Sequence, residues 1–142
     1  YLAILVVLIF AILPTLLYVF TIGQLSAGGS IDSGGITGSY LGLFMLAAVF
    51  AAISLCSSGF SANPVVAFLV SAFACILLYF GFHALSKLTV FRGGADYFIE
   101  MLGIDFHYQS MSRGLLDTRD AVYFLSIILL ALFITEKKLI QR

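Results

Sequence analysis

The chain has 142 residues, of which 62% are hydrophobic and only 10% charged, and its mean hydropathy is +1.14. A soluble domain has about 25% charged residues, so this sequence lacks the polar side chains that cover a water-facing globule and is typical of an integral membrane protein. Seven basic and seven acidic residues cancel, which removes the charge argument for a nucleic-acid partner. Two cysteines, Cys56 and Cys75, lie in apolar runs, which excludes a disulfide framework or a four-cysteine zinc site.

Four apolar runs are each long enough to form a membrane-crossing helix, since about 20 helical residues cross the roughly 30 Å hydrocarbon layer. These runs lack the inside–outside alternation of a membrane barrel, so the sequence predicts an all-α, polytopic membrane helix bundle. The predicted spans are residues 1–21, 37–57, 64–84 and 119–138. The first run has no basic region of the kind that opens a secretory signal and no initiator methionine, so we expect Tyr1 to follow a missing N-terminal portion.

Small side chains recur about four residues apart in the second and third spans. Such a stripe lets the backbone of another helix approach closely, either as ordinary bundle packing or as a sliding helix pair. The predicted helix-packing residues are Gly38, Gly42, Ala47, Ala51 and Ser71, and the run of small residues in the second span also includes Ala48 and Ala52.

Two prolines mark local features of the predicted spans. Pro14 lies within the first span and frees a carbonyl near Phe10, so the sequence predicts a kink there. Asn63-Pro64 is typical of a helix start, with the Asn63 side chain as the cap.

No Asp, Glu, Lys or Arg lies in the core of a predicted span, which disfavours an ion-coupled pump or channel. His83 lies at the end of the third span, where an interfacial side chain is a better interpretation than a proton relay.

The long connection between the third and fourth spans, residues 85–118, carries most of the polar chemistry. Its Asp96–Gly103 stretch has the pattern of a short amphipathic helix at the interface, or dipping back into the bundle, that ends at Gly103. Further on, Asp117 is placed to cap the fourth span, and Asp120 follows it at the spacing of a capping box.

Three hypotheses cover the polar residues of this connection. A metal site would need His107, Asp105, Asp117 and Asp120, whose spacing matches no closed zinc or calcium pattern. Ser110 and His107 are spaced as a nucleophile and base, but without a third orienting group. An interfacial ion-pair network, with Arg113 paired to Asp117 or Asp120, is the preferred interpretation.

Leu102–Ser126 (LGIDFHYQSMSRGLLDTRDAVYFLS) resembles the segment before the last membrane helix of ABC-2-type permeases, most nearly the gliding-motility-associated ABC transporter permease subunits. Similar stretches occur at Ile12–Tyr18, at Gly38–Leu43 after a Gly/Ser-rich loop, and at Asn63 before Val65–Phe68. The resemblance therefore covers nearly the whole chain. Its specific part is the His-x-x-Ser-x-x-Arg-Gly run followed by Asp-Thr-Arg-Asp, whereas the spans themselves carry little of it.

Permeases of this family have six membrane helices and a re-entrant helical hairpin outside, between the fifth and sixth. They act as dimers with cytoplasmic ATPase subunits. The resemblance implies that this chain supplies the last four spans and that residues 85–118 form the external hairpin. The first two spans and the coupling helix that meets the ATPase would then lie in the missing N-terminal portion. It also implies structural or gating roles for residues of the hairpin and the cap of the fourth span, namely His107, Ser110, Arg113, Gly114, Asp117, Arg119 and Asp120.

The expected function is that of the permease subunit of an ABC exporter, working by alternating access. The sequence lacks the G-x-x-x-x-G-K-[ST] phosphate loop, and the stretch from Gly81 to Lys87 only approaches its spacing, so ATP hydrolysis is expected on a partner chain. We expect no catalytic residue, metal or cofactor on this chain. The expected partners are an ABC ATPase subunit, a second permease subunit and the lipid bilayer.

Basic residues near the membrane ends bear on the orientation, because cytoplasmic loops are enriched in Lys and Arg. The C-terminal tail has the basic residues Lys137, Lys138 and Arg142. The segment after the third span has Lys87, Arg92, Arg113 and Arg119, and five acidic residues accompany them. We expect the tail to be cytoplasmic in a bacterial inner membrane. The rival hypothesis is a scaffold without transport activity that anchors an envelope or gliding-motility complex, in which the ATPase drives mechanical work. A membrane-embedded hydrolase using Ser110 and His107 is a third hypothesis.

Overall fold

The computed structural model describes residues 1–25, 32–88, 94–115 and 117–140. Within this part of the chain all regular secondary structure is helical. Arg92 and Arg142, which entered the orientation argument, lie outside the described residues, as do residues 26–31 of the Gly/Ser-rich loop and Leu116 of the resembling segment. The described elements are α1 (Leu2–Leu25), α2 (Ser33–Phe60), α3 (Pro64–Ser86), α4 (Ala95–Met101), α5 (Ile104–Ser112) and α6 (Thr118–Ile140).

Four of these helices, α1, α2, α3 and α6, are long and apolar enough to cross a membrane. The prediction of an all-helical chain with four candidate spans is therefore confirmed. Many of their large apolar side chains are exposed, including Phe68 and Phe73 on α3. Exposed apolar surface of this extent is unusual on a soluble protein and is typical of a multi-pass membrane protein, whose outer surface contacts lipid.

The core lies where α2 meets the other helices. Its largest fully buried side chains are Val49 of α2, Ile104 and Met111 of α5, and Phe124 of α6. The short helix α5 thus contributes to the same core as the long helices. Helix α1 begins beside the middle of α2, and the Tyr1 hydroxyl donates a hydrogen bond of 3.0 Å to the Ala48 carbonyl.

Helix α1 is irregular where Pro14 predicts a kink. Its α-helical halves, Leu2–Ile12 and Leu16–Leu25, are joined by a 3₁₀ turn at Leu13–Thr15. The Thr15 hydroxyl donates to the Ile12 carbonyl at 2.6 Å, which satisfies a backbone group beside the irregular turn.

Helix α3 begins as the sequence predicts and then departs from regular α-helix. The Asn63 side chain accepts a hydrogen bond of 2.9 Å from the Val65 backbone N–H, which confirms Asn63 as the cap. A π-helical turn occupies Leu77–Gly81, and nothing in the sequence indicated it. Ser71, a predicted packing residue, is buried and donates to the Phe68 carbonyl at 2.9 Å.

The small residues that the sequence singles out on α2 are buried to different degrees over the second half of the helix. Gly42 is buried as expected, but Ala48 and Ala52 are the alanines in the core, while Ala47 and Ala51 are only half-buried. At 3.6 residues per turn, Ala51 lies about 180° around the helix from Gly42. The residues that continue the face of Gly42 are Val49 and Ile53, which lie within about 20° of it around the helix and are buried.

Candidate functional site

The two short helices α4 and α5 lie at the end of the bundle where α3 ends and α2 and α6 begin. Helix α4 ends at Met101, close to the predicted end, and Gly103 lies between the two helices with an extended backbone. A Cβ atom at Gly103 would come within 3.1 Å of the Phe82 Cβ atom on α3. Helix α4 and its junction with α5 are thus packed directly against the end of α3.

Helix α5 packs closely against α2 because Gly38 of α2 has no side chain. A Cβ atom at Gly38 would overlap the Met111 carbonyl oxygen and approach the Gly114 Cα atom to 2.8 Å. Beside this contact the Ser39 hydroxyl donates to the Ser112 carbonyl at 3.1 Å. The small-residue stripe of the second span therefore receives the short helix α5 at this end, and not another long helix.

His107 lies at the centre of this packing and joins three segments. Its Nδ1 atom is 2.7 Å from Asp120 Oδ1 on α6, and its Nε2 atom is 2.9 Å from the Met101 carbonyl oxygen. A carbonyl only accepts, so Nε2 carries a hydrogen. The bond between Nδ1 and Oδ1 then needs one proton. The pair is either an imidazolium with a carboxylate or a neutral imidazole with a protonated carboxyl group.

The His107–Asp120 pair is deeply buried, with side chains 5% and 6% exposed. The second carboxylate oxygen of Asp120, Oδ2, is buried without a hydrogen-bond partner among the described residues. Burying a polar group is costly unless it is hydrogen-bonded. The two side chains therefore depend strongly on each other for their hydrogen bonds.

Tyr123, one turn after Asp120, covers one face of the His107 imidazole. The rings of Tyr123 and His107 stack with centroids 3.9 Å apart and planes 24° apart. The Tyr123 hydroxyl donates to the Leu102 carbonyl, next to the carbonyl that His107 uses. The first two turns of α6 thus hold the junction between α4 and α5 through the His107–Asp120 pair and the stacked Tyr123 ring.

A second polar contact connects α4 to the end of α3. His83 Nδ1 lies 3.2 Å from Glu100 Oε1, and both side chains are partly exposed. The position of His83 at the end of the long helix agrees with its interpretation as an interfacial side chain.

Asp117 caps α6 as predicted, because its Oδ1 atom accepts a hydrogen bond of 3.1 Å from the Arg119 backbone N–H. The capping-box prediction for Asp120 is wrong. Its carboxylate bonds His107, while the Asp117 backbone N–H donates to the Leu115 carbonyl. The Asp120 carboxylate thus bonds the buried His107 imidazole instead of a backbone N–H at the exposed start of α6.

The predicted ion pairs of Arg113 with Asp117 or Asp120 are absent from the part of the chain that the structure describes. The Arg113 guanidinium instead donates to Gln109 Oε1 at 3.3 Å, and the Gln109 amide donates to Asp105 Oδ2 at 2.8 Å. These residues follow one another at four-residue spacing, so the pattern is a ladder along an exposed face of one helix.

Ser110 does not take part in the hydrogen bonds of His107. Both imidazole nitrogens are occupied by Asp120 and Met101, so the geometry gives Ser110 no general base. Over the described ranges no cluster of three or more His, Cys, Asp or Glu side chains is arranged to hold a metal ion. The residues that the sequence singled out therefore separate into a buried pair, a cap, and exposed side chains that include Arg113 and Arg119.

Sequence reasoning missed Tyr123 and the cluster of rings around the π-helical turn. Tyr79 in that turn lies against Tyr108 of α5 and Phe50 of α2, each with ring centroids 6.4 Å apart. Tyr123 follows Asp120 by three residues, and this spacing could have placed it on the same helix face.

Comparisons of the chain with known protein families, with curated proteins and with solved structures found no match.

Proposed function

We propose that this chain is the membrane-spanning permease subunit of an ABC exporter of the ABC-2 type. The observation that best supports the proposal is the position of α4 and α5. They lie between the last two long apolar helices in the chain and pack together at one end of the bundle. This is the arrangement that the resemblance implies for an external, re-entrant helical hairpin.

The contacts of α5 give the proposed hairpin a mechanical role. It packs against α2, α3 and α6, and its His107 is bonded to Asp120 on α6. A change in the relative positions of these long helices would therefore move the hairpin or break the His107–Asp120 bond. In alternating access, such a change would open or close the outer end of a path formed with a second permease subunit.

In the proposed orientation the hairpin is outside and the C-terminal end of α6 is cytoplasmic. Lys137 and Lys138 lie in the last turns of α6, at the end opposite Asp120 and the hairpin. The hairpin end also carries basic residues, Lys87, Arg113 and Arg119 among them, so the count of Lys and Arg does not decide between the two ends. The family resemblance is what supports placing the Lys137–Lys138 end on the cytoplasmic side of a bacterial inner membrane. The energy source would be a separate ATPase subunit bound at that side.

Co-purification and ATP turnover test the proposal. The full-length protein is purified from its native membrane and then reconstituted in lipid with any ATPase that accompanies it. We expect an ATPase subunit to co-purify and its turnover to rise with a transported compound. Turnover that responds to no cargo would favour the scaffold of an envelope or gliding-motility complex, and absence of an ATPase would contradict both hypotheses.

The Ser110→Ala variant of the purified protein tests the hydrolase hypothesis against the exporter hypothesis. Because Ser110 has no hydrogen bond to His107, we expect this variant to behave as the unmodified protein in transport and ATP turnover. Loss of a hydrolytic activity in Ser110→Ala alone would support the hydrolase instead.

A further inference from the structure

A groove of about 640 Å³ lies between α4 and the first turns of α6. Phe98 and Leu102 line it on the α4 side, and Val122 and Tyr123 line it on the α6 side. His107 also lines the groove, and its burial places it at the floor. The groove is therefore an apolar slot next to the His107–Asp120 pair, open along the outside of the bundle.

One cation lines this groove. Arg119 lies one turn before Val122, and its guanidinium forms no hydrogen bond or ion pair with any residue that the structure describes. The neighbouring Asp117 carboxylate accepts from the Arg119 backbone N–H, and Glu100 is paired with His83. The charge of Arg119 is thus available to a ligand in the groove.

The positions of the charges along α6 place the groove at the level of lipid headgroups. Arg119 and Lys137 are 18 residues apart on this helix. That separation is about five turns and about 27 Å, so both side chains lie on the same face and bracket a length close to the hydrocarbon thickness of about 30 Å. Val122 and Leu129 lie between them on this face, exposed at 64% and 66%.

We infer that this groove binds one anionic phospholipid of the surrounding bilayer. Its phosphate pairs with Arg119, because a guanidinium forms strong, paired hydrogen bonds with phosphate oxygens. One acyl chain lies between Phe98 and Val122 and continues along the apolar face of α6. This site goes beyond the proposed exporter function, because the lipid is a bound component of the subunit and not its cargo.

Native mass spectrometry of the full-length protein in detergent tests the charge. The probes are phosphatidylglycerol and phosphatidylcholine with identical acyl chains. We expect one phosphatidylglycerol to be retained in preference, and Arg119→Gln to weaken its retention about tenfold, since it removes a charge-assisted contact. The matched control is Lys137→Gln, on the same helix face at the other headgroup layer, which leaves retention unchanged.

The groove itself is tested by filling it. Val122→Trp places a large side chain in the slot and is expected to abolish retention of both lipids, whereas Leu129→Trp, equally exposed and two turns further along the same face, leaves retention intact. Thermal unfolding of both variants checks that they remain folded.

Three results would overturn the inference. Equal loss in Arg119→Gln and Lys137→Gln, or equal retention of the two lipids by the unmodified protein, would mean that only general annular lipid is bound. Retention by isolated subunits but not by the permease dimer would assign the groove to the interface between subunits.

Discussion

His107 and Asp120 share a hydrogen bond of 2.7 Å that joins α5 to the first turn of α6, and their side chains are almost completely buried. The partner of each side chain comes from a different helix, so the bond forms only when the two helices are correctly packed. Removing one partner leaves the other polar group buried without it, which costs more than the intact bond contributes.

Replacing Asp120 tests this dependence. We expect Asp120→Ala to lower the free energy of unfolding by about 3 kcal/mol, the size of the loss when one member of a buried charged or hydrogen-bonded pair is removed. Asp120→Asn should cost only about 1 kcal/mol, because its amide can donate to Nδ1 of a neutral imidazole while Nε2 keeps its bond to Met101. Chemical unfolding in detergent, followed by circular dichroism, measures both losses.

Glu136→Ala is the matched control, since it removes an exposed acid from the same helix and should change stability by less than about 0.5 kcal/mol. The double variant His107→Phe/Asp120→Ala removes both partners and should be less destabilised than the sum of its single changes. Additive losses would show that the two side chains are not coupled.

The Tyr123 hydroxyl gives a second prediction, because it donates to the Leu102 carbonyl while the Tyr123 ring stacks on His107. Tyr123→Phe keeps the stacked ring and loses only the hydrogen bond, so we expect a loss of about 1 kcal/mol in the free energy of unfolding. Tyr123→Leu also loses the stacking and should cost about 1 kcal/mol more. Equal losses in the two variants would contradict a stabilising role for the stacked ring.

Local features of this fold could be predicted from the sequence because they depend on neighbouring residues. The length and hydropathy of the four runs predicted α1, α2, α3 and α6, and the Asn63 and Asp117 caps follow from side chains next to a helix start. A helix cap depends on a few neighbouring residues, and a membrane span depends on the transfer of its apolar side chains from water to lipid.

Tertiary partners could not be predicted in the same way. The spacing of Arg113, Asp117 and Asp120 allowed an ion-pair ladder, but Asp120 is turned into the core by its bond to His107. Likewise, the stripe at Gly38 showed that something approaches α2 closely, and only the packed structure identifies α5 as that neighbour. The π-helical turn at Leu77–Gly81 follows no sequence rule and coincides with the packing of Tyr79 against other rings.

The close packing of α5 against α2 leads to a prediction for Gly38. A Cβ atom there would overlap the backbone of α5, so we expect Gly38→Ala to lower the free energy of unfolding by about 2–3 kcal/mol. The control is Gly59→Ala in the last turn of the same helix, where the nearest atom is a Thr135 methyl at 4.0 Å. That change should stabilise by up to about 1 kcal/mol through helix propensity. Similar effects of the two substitutions would contradict the close packing of α5 on α2.

Gly114 is constrained twice, by a φ of +81° and by backbone contacts with Gly34 and Gly35 near 3.0 Å from a built Cβ atom. Gly94 also has a positive φ, of +118°, but has open space around it. Gly94→Ala should therefore cost only the backbone strain of about 1–2 kcal/mol, and Gly114→Ala about 1–2 kcal/mol more because α2 must also shift. Comparison of the two unfolding midpoints separates strain from packing. If the substitutions cost the same, the turn after α5 does not press against α2.

The orientation proposed for the bundle is tested by labelling single cysteines at its two ends. Cys56 and Cys75 are first replaced by Ala, since both are half-buried thiols in the long helices. Tyr97→Cys on α4 and Leu139→Cys at the end of α6 are matched, because the original side chains are 56% and 60% exposed. A membrane-impermeant maleimide added to intact cells should label the cysteine at position 97 and leave that at 139 unlabelled, while permeabilised cells label both. Equal labelling from outside would contradict an external hairpin with a cytoplasmic C-terminal end.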